Sequence, residues 1–320
     1  MASVSITFIE EPIKPEFMKY SILSFFFFVS VVGFGQKIKS ETVIYEDTLG
    51  MDIFTPLTKN ANKPVLIYVH GGGFSGGKRD QEQHIEFCKR YAAEGWVTAT
   101  ISYHLTMKGQ SFSCDQPVQN KINTMFVAAQ NINQSVAYLL QRKDELGIDP
   151  NKIVVAGSSA GAEAVLHAVY WPKTQEGILP SDFKYGGMIS MAGALLDKRW
   201  VTNESAVPSL FYHGTCDQLV PYDNASHHYC SADQTGFMML YGAYSLAMKL
   251  KDLDEPYYLV TDCGGGHEWA SKPIQEKYRK HMDLFLEWVI KRDGTIQGHS
   301  IISEGTKQCD FVDFGFCSPN

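Results

Sequence analysis

The sequence predicts an α/β domain, a mostly parallel central sheet flanked by helices on both faces. Short apolar, β-rich runs alternate with longer segments of helical periodicity. Several of the runs are apolar throughout, without polar alternation, as strands covered on both faces are. A chain of 320 residues, 44% hydrophobic and 20% charged, also has the composition for one large packed domain.

The chain opens on a segment of different character. Seven of the 19 Phe lie in the first 35 residues, four of them consecutive at 25–28. Lys19 precedes an apolar run of about 13 residues (22–34), and Gly33 and Gly35 close it. That is the pattern of a secretory signal peptide, so residues 1–35 are expected to be removed between Gly35 and Gln36. The run is short of the roughly 20 residues a spanning helix needs. Glu10, Glu11 and Glu16 are foreign to the basic start of a leader, which makes Met18 an alternative first residue. No Cys stands directly after the apolar run, so no lipid or other stable membrane anchor is expected; the expected location is secreted or periplasmic.

Behind the leader, residues 45–54 read as an antiparallel hairpin. Strands are predicted at 65–69 (VLIYV), 97–103, 153–156 (IVVA), 188–191, 210–212 and 257–260. Helices are predicted at 83–93, 123–142, 161–170, 242–250 and 274–290. Within 123–142, Met125, Ala128, Ala129, Ile132, Val136, Leu139 and Leu140 recur at helical spacing. Residues 36–293 are expected to form the catalytic domain and 294–320 a polar tail.

Net charge is −7, which argues against a nucleic-acid partner held by phosphate neutralisation. The seven Cys include no CxxC pair, and 267–271 (HEWAS) breaks the HExxH zinc pattern. Neither a metal nor a cofactor is called for. In an exported chain the Cys read as a few disulfides.

The chemistry lies in the loops after the strands. Gly157-Ser158-Ser159-Ala160-Gly161 matches GxSxG, directly after the apolar run IVVA and directly before AGAEAVLHAVY. A nucleophile elbow needs that strand–turn–helix, with Ser159 on the sharp turn. Gly73-Phe74-Ser75-Gly76-Gly77 matches too, but Lys78-Arg79-Asp80 follows it instead of an apolar helix. That second match belongs to His70-Gly71-Gly72-Gly73-Phe74, placed after its strand as an HGGG oxyanion loop is. The N–H groups of Gly72, Gly73 and Ala160 are the expected oxyanion donors, because backbone dipoles stabilise the developing charge without reorganising.

Serine needs a base, and the base a carboxylate. Of ten His, His267 stands out, in a Gly-rich loop (CGGGH) directly after a strand. His213 reads as a sheet-rim residue, His227 and His228 as surface residues, and His84, His167 and His281 as structural residues on helices. Asp217, in SLFYHGTCDQLVP, lies after its own strand and between Ser159 and His267 in chain order.

These motifs together resemble the α/β-hydrolases of carboxylesterase type, and are similar to secreted bacterial esterases that include feruloyl-esterase-like enzymes. HGGGF, GSSAG, HGTCDQLVP and CGGGHEW carry the resemblance, which spans roughly residues 40–291. Ser158 stands where the hormone-sensitive-lipase branch has an acidic residue. The acid loop is closer to feruloyl-esterase-like and dienelactone-hydrolase-like members.

The resemblance implies a Ser159–His267–Asp217 triad and an acyl-enzyme intermediate. It further implies a small-molecule or polysaccharide-linked ester as substrate, acetyl or feruloyl esters among them. Phe74 and Trp269 are candidates for an apolar substrate pocket, and 104–117 for a wall over the site. If Asp217 and His267 meet, their loops touch, and a Cys216–Cys263 bridge would pin them. Cys114–Cys230 and Cys309–Cys317 are then the remaining pairs, with Cys88 a buried thiol. Two other readings stay open: a serine peptidase of the prolyl-oligopeptidase kind, and a non-catalytic binding protein on the same fold.

Overall fold

The computed structural model describes residues 37–58, 60–306, 309 and 314–317, so the expected leader and its cleavage point lie outside the described residues. The first strands, β1 (Ile38–Glu46) and β2 (Leu49–Pro56), form an antiparallel hairpin with Val43 opposite Met51. It turns at Asp47, whose φ of 41° is a conformation that Asp tolerates better than bulkier residues. Then follow β3 (Lys63–Val69), α1 (Glu82–Ala93), β4 (Val97–Ile101), α2 (Val118–Gln141), α3 (Lys143–Leu146), β5 (Ile148–Ser158) and α4 (Ala160–Tyr170). The second half comprises β6 (Gly187–Met191), β7 (Ser209–Gly214), a small pair β8 (Asn224–Ser226) and β9 (Met239–Tyr241), α5 (Ala243–Asp252), β10 (Tyr257–Asp262), α6 (Lys280–Leu284) and β11 (Gln297–Ile302).

Nine strands form one sheet in the order β1-β2-β4-β3-β5-β6-β7-β10-β11. From β4 to β11 every neighbouring pair is parallel. β3 explains why its run lacked polar alternation. Val65, Ile67 and Val69 pack into a core layer with α2, α4 and α5, while Leu66 and Tyr68 pack into the opposite layer with α1 and α6. Both faces are covered, so period 2 separates two apolar faces. α4 is buried along its whole length, between sheet and α2. A helix apolar on nearly every side suits that place, and it makes Glu163 and His167 buried polar residues.

The C-terminal region differs from the sequence reading in three ways. Residues 274–290 are not one α-helix: turns at Lys272–Ile274 and Glu276–Tyr278 precede α6, which continues as a π-helical stretch, Phe285–Lys291. Pro273 lacks an N–H donor and Gln275 is extended (ψ 148°), which delays the helix to Lys280. Residues after 294 are more than a tail, because β11 pairs in parallel with β10, Leu259 opposite His299. Finally, the expected Cys216–Cys263 and Cys309–Cys317 bridges are not formed.

Cys216 pairs instead with Cys309, and Cys263 with Cys317. β11 runs parallel to β10 and β10 to β7, so all three end on the same side of the sheet, where Cys309 and Cys317 reach the two loops. Cys114–Cys230 is present, and Cys88 is buried and unpaired.

Candidate active site

Ser159 sits between β5 and α4 at φ 52° and ψ −124°, a strained conformation for any residue with a Cβ. The turn is held by close backbone packing. A Cβ at Gly157 would meet the backbone of Gly161, and one at Gly161 would meet the carbonyls of Val69 and His70. Glycine at both positions is therefore a steric requirement.

Ser159 Oγ lies 2.7 Å from His267 Nε2, and His267 Nδ1 lies 2.7 Å from Asp217 Oδ2. A carboxylate only accepts, so the proton sits on Nδ1, and Nε2 is left to accept from the serine hydroxyl. Asp217 is fully buried, and its other oxygen accepts from the N–H groups of Leu219 (2.9 Å) and Val220 (3.0 Å). Burial pushes its pKa up, but the hydrogen bonds and charge of His213 and His267 outweigh that and hold the carboxyl well below the usual carboxylate range.

His213 is the residue the sequence reading undervalued. Its Nε2 donates to Asp217 Oδ2 (3.2 Å) and to Val220 O (3.1 Å), so Asp217 Oδ2 accepts from two imidazoles. The spacing in HGT-C-D, four residues from His to Asp, was the available signal.

Two of the three predicted oxyanion residues, Gly72 and Gly73, line the same cavity as the serine, and Ala160 follows Ser159 at the start of α4. Gly71, Gly72, Gly73, Ser159 and His267 border a space of about 550 Å³ with Tyr68, Gln81, Gln83, His84, Ser158, Leu219, Ala270 and Ser271. Gly72 and Gly73 have φ of 118° and 59°, which glycine adopts without a steric penalty. Among the described residues, no hydrogen bond takes up the N–H of Gly72, Gly73 or Ala160. His84 is held down to about 4 by burial and is neutral. Its Nδ1 donates to Lys78 O (3.1 Å), which leaves Nε2 to accept from the Gln83 amide (3.3 Å).

Two expected substrate contacts do not reach this cavity. Phe74 is fully buried and packs edge-on to Phe112, centroids 4.9 Å apart. Trp269 is fully buried too, its indole N–H donating to Asp262 Oδ2 (2.7 Å). Both stand close in sequence to an expected site residue but turn into the core. The 104–117 segment packs beside the glycine loop, with Met107 N donating to Phe74 O (3.1 Å), and Cys114–Cys230 ties it down.

His227, expected at the surface, is buried, with Nε2 3.5 Å from Glu163 Oε1. His228 is half-buried. Burial pushes the Glu163 pKa up to about 8, so its carboxyl is neutral at pH 7.

The profile of the BD-FAE family matches residues 51–181, which contain the glycine loop and the serine turn. The whole fold aligns with esterase 2 of Thermogutta terrifontis at a TM-score of 0.57, covering 80% of this chain and 95% of that one at 18% identity. The chain has the α/β-hydrolase fold. It is similar to the carboxylesterases: 34% identical over 132 residues to gut esterase 1 of Caenorhabditis elegans, 41% of this chain and 22% of the relative. It is also 26% identical over 163 residues to carboxylesterase 1D of Rattus norvegicus, 50% of this chain and 26% of the relative. The chain thus spans about a quarter or less of the length of these relatives. Among the described residues, no helix is long and apolar enough to cross a membrane, and no cluster of His, Cys, Asp and Glu could hold a metal ion.

Proposed function

We propose that the chain is a secreted serine esterase that hydrolyses carboxylic esters through Ser159, His267 and Asp217. The observation that carries this reading is the unbroken relay from Ser159 Oγ through the imidazole to Asp217, 2.7 Å at each step, opening on a cavity with unused backbone N–H groups. Ser159 Oγ attacks the ester carbonyl as His267 Nε2 takes its proton. The carbonyl oxygen gains negative charge opposite the N–H groups of Gly72, Gly73 and Ala160. His267 then returns the proton to the leaving alcohol, and the imidazolium is stabilised throughout by Asp217. In the second half, water attacks the acyl-enzyme through the same base.

The substrate side of the proposal is an ester whose alcohol carries hydroxyl groups, such as an acetyl or feruloyl ester of a polysaccharide. Gln81, Gln83, Ser158 and Ser271 supply hydrogen-bonding side chains along the cavity, and the BD-FAE match points the same way. Bound butyrate and propionate have been seen in the T. terrifontis enzyme, which is consistent with a short acyl group. Export is supported by three disulfides, which persist in oxidising compartments.

A fluorophosphonate probe tests the reading. Wild-type protein and Ser75→Ala are expected to be labelled, and Ser159→Ala is not. Ser159→Ala should also lower kcat on short-chain nitrophenyl esters by a factor on the order of 10⁴ or more. Labelling that survives in Ser159→Ala would refute the assignment. Acetylated xylan and methyl ferulate, compared in the same assay, separate the two acyl classes.

A further inference from the structure

The loop that carries His267 is gripped from two sides. β7 and β10 lie side by side with Asp262 opposite Gly214, so the Asp217 and His267 loops leave the sheet together. Thr215 N donates to Asp262 O (3.0 Å), Cys216 N to Gly265 O (2.8 Å), and Gly264 N to Thr215 Oγ1 (2.9 Å). On the far side the same loop meets the chain around and after β11. Cys263 N donates to Ile302 O (2.8 Å), and the N–H groups of Glu304 and Gly305 both donate to Asp262 Oδ1 (2.9 and 3.0 Å). Gly305 lies so close to the backbone of Gly264 and Gly265 that a Cβ has no room.

Beyond Gly305 the chain is fastened covalently at two points. Cys309 is bonded to Cys216, the residue before Asp217, and Cys317 to Cys263, four residues before His267. Between them Phe314 packs edge-on to Tyr222, centroids 5.0 Å apart, and Phe316 packs edge-on to His299 at 4.9 Å.

We infer that the Cys216–Cys309 and Cys263–Cys317 bonds, which tie C-terminal residues to the loops of the acid and the base, are a covalent brace that positions Asp217 against His267. This rests on the esterase reading of Ser159. The physical need for a brace is local. His267 follows three glycines, which contribute no side chain to hold the loop and the widest backbone freedom of any residue. Proton relay tolerates little displacement, and a misplacement of about 1 Å can cost on the order of a hundredfold in rate. The four cysteines are positioning residues, since their sulfurs are bonded to one another in pairs.

A consequence is that the triad depends on the oxidised state of these two bonds. Opening either one takes two electrons and two protons and leaves two thiols. A dithiol such as dithiothreitol supplies them and becomes its own cyclic disulfide. The third bond, Cys114–Cys230, fastens the 104–117 segment instead.

The test compares the full chain with Cys309→Ser/Cys317→Ser. A second variant, with Ser at Cys216, Cys263, Cys309 and Cys317, blocks re-pairing of the freed Cys216 with Cys263. Three readouts are taken at 25 °C: kcat and KM on p-nitrophenyl acetate, the low-field proton resonance of His267 Nδ1–H, and near-UV circular dichroism. Both variants are expected to keep the near-UV signal and a KM within about twofold, to lose kcat by about ten- to a hundredfold, and to broaden the low-field resonance. Dithiothreitol should bring the wild type to the same kcat and change the variants little further. Unchanged kcat and resonance in both variants would overturn the brace. A lost near-UV signal would also overturn it, because the bonds would then be holding the fold instead of the triad. The resonance reports the Asp217–His267 contact without turnover, so an inactive wild type would refute the esterase reading while leaving the brace open to this measurement.

Discussion

Asp217 Oδ2 accepts from His267 Nδ1 and from His213 Nε2, and only the first of these imidazoles reaches the serine. In the proposed reaction His213 would therefore act through Asp217, by fixing the carboxylate's orientation and helping to keep it ionised. His213→Leu is expected to lower kcat by about tenfold with KM nearly unchanged, and His213→Gln, which keeps an N–H donor, to recover part of the loss. Equal losses in the two variants would show that His213 only fills space. Glu163 gives a second prediction at this scale. It is faced by His227 and acted on by Lys121 and Asp217, and burial raises its pKa to about 8. An exposed Glu has a pKa of about 4.3, so between about 4.3 and 8 the folded chain holds a proton that the unfolded chain has lost. Its contribution to stability accordingly falls as pH rises through that window. Glu163→Gln should melt close to wild type at pH 5 and above it at pH 9 in calorimetry, and a gap that does not widen with pH would reject the account.

Among the elements, the turn at Ser159 and the segment after β11 are opposite cases. The serine turn was legible because its requirements are local: an apolar strand, two small residues where backbones touch, and a helix that starts at once. The chain after Gly294 looked like a polar tail because nothing in its own pattern shows that it completes a sheet. Its role comes from partners far away in sequence, Tyr257–Asp262 for pairing and Cys216 and Cys263 for bonding. Phe74 and Trp269, expected in a substrate pocket, are in the core for a related reason, since a sequence neighbour of a proposed site residue can point inward. The packing after β11 makes Gly305 an exacting position. Gly305→Ala should lower stability by about 1–3 kcal/mol through overpacking against Gly264 and Gly265. Urea unfolding would measure it, and an unchanged midpoint would contradict the close approach.

For the molecule as a whole, the described disulfides span 116, 93 and 54 residues, and each closes a loop worth about 4–5 kcal/mol in the chain-entropy model. Losing several kcal/mol shifts the melting temperature of a chain this large by about 10 °C or more. Thermal melts with and without dithiothreitol should show that shift, and coincident melts would mean that the bonds add nothing to the oxidised fold.

The sequence by itself determined the fold class, the strand–turn–helix around Ser159, the glycine loop after β3 and the chain order of Ser159, Asp217 and His267. Each of these depends on residue type and spacing within a short window. Only the tertiary structure decided which cysteines pair, that His213 shares Asp217, that Glu163 and His227 are buried together, and that Glu304, Gly305, Cys309 and Cys317 meet the loops of the acid and the base. Those are contacts between distant parts of the chain, and they depend on which strands lie side by side and at which edge each loop emerges.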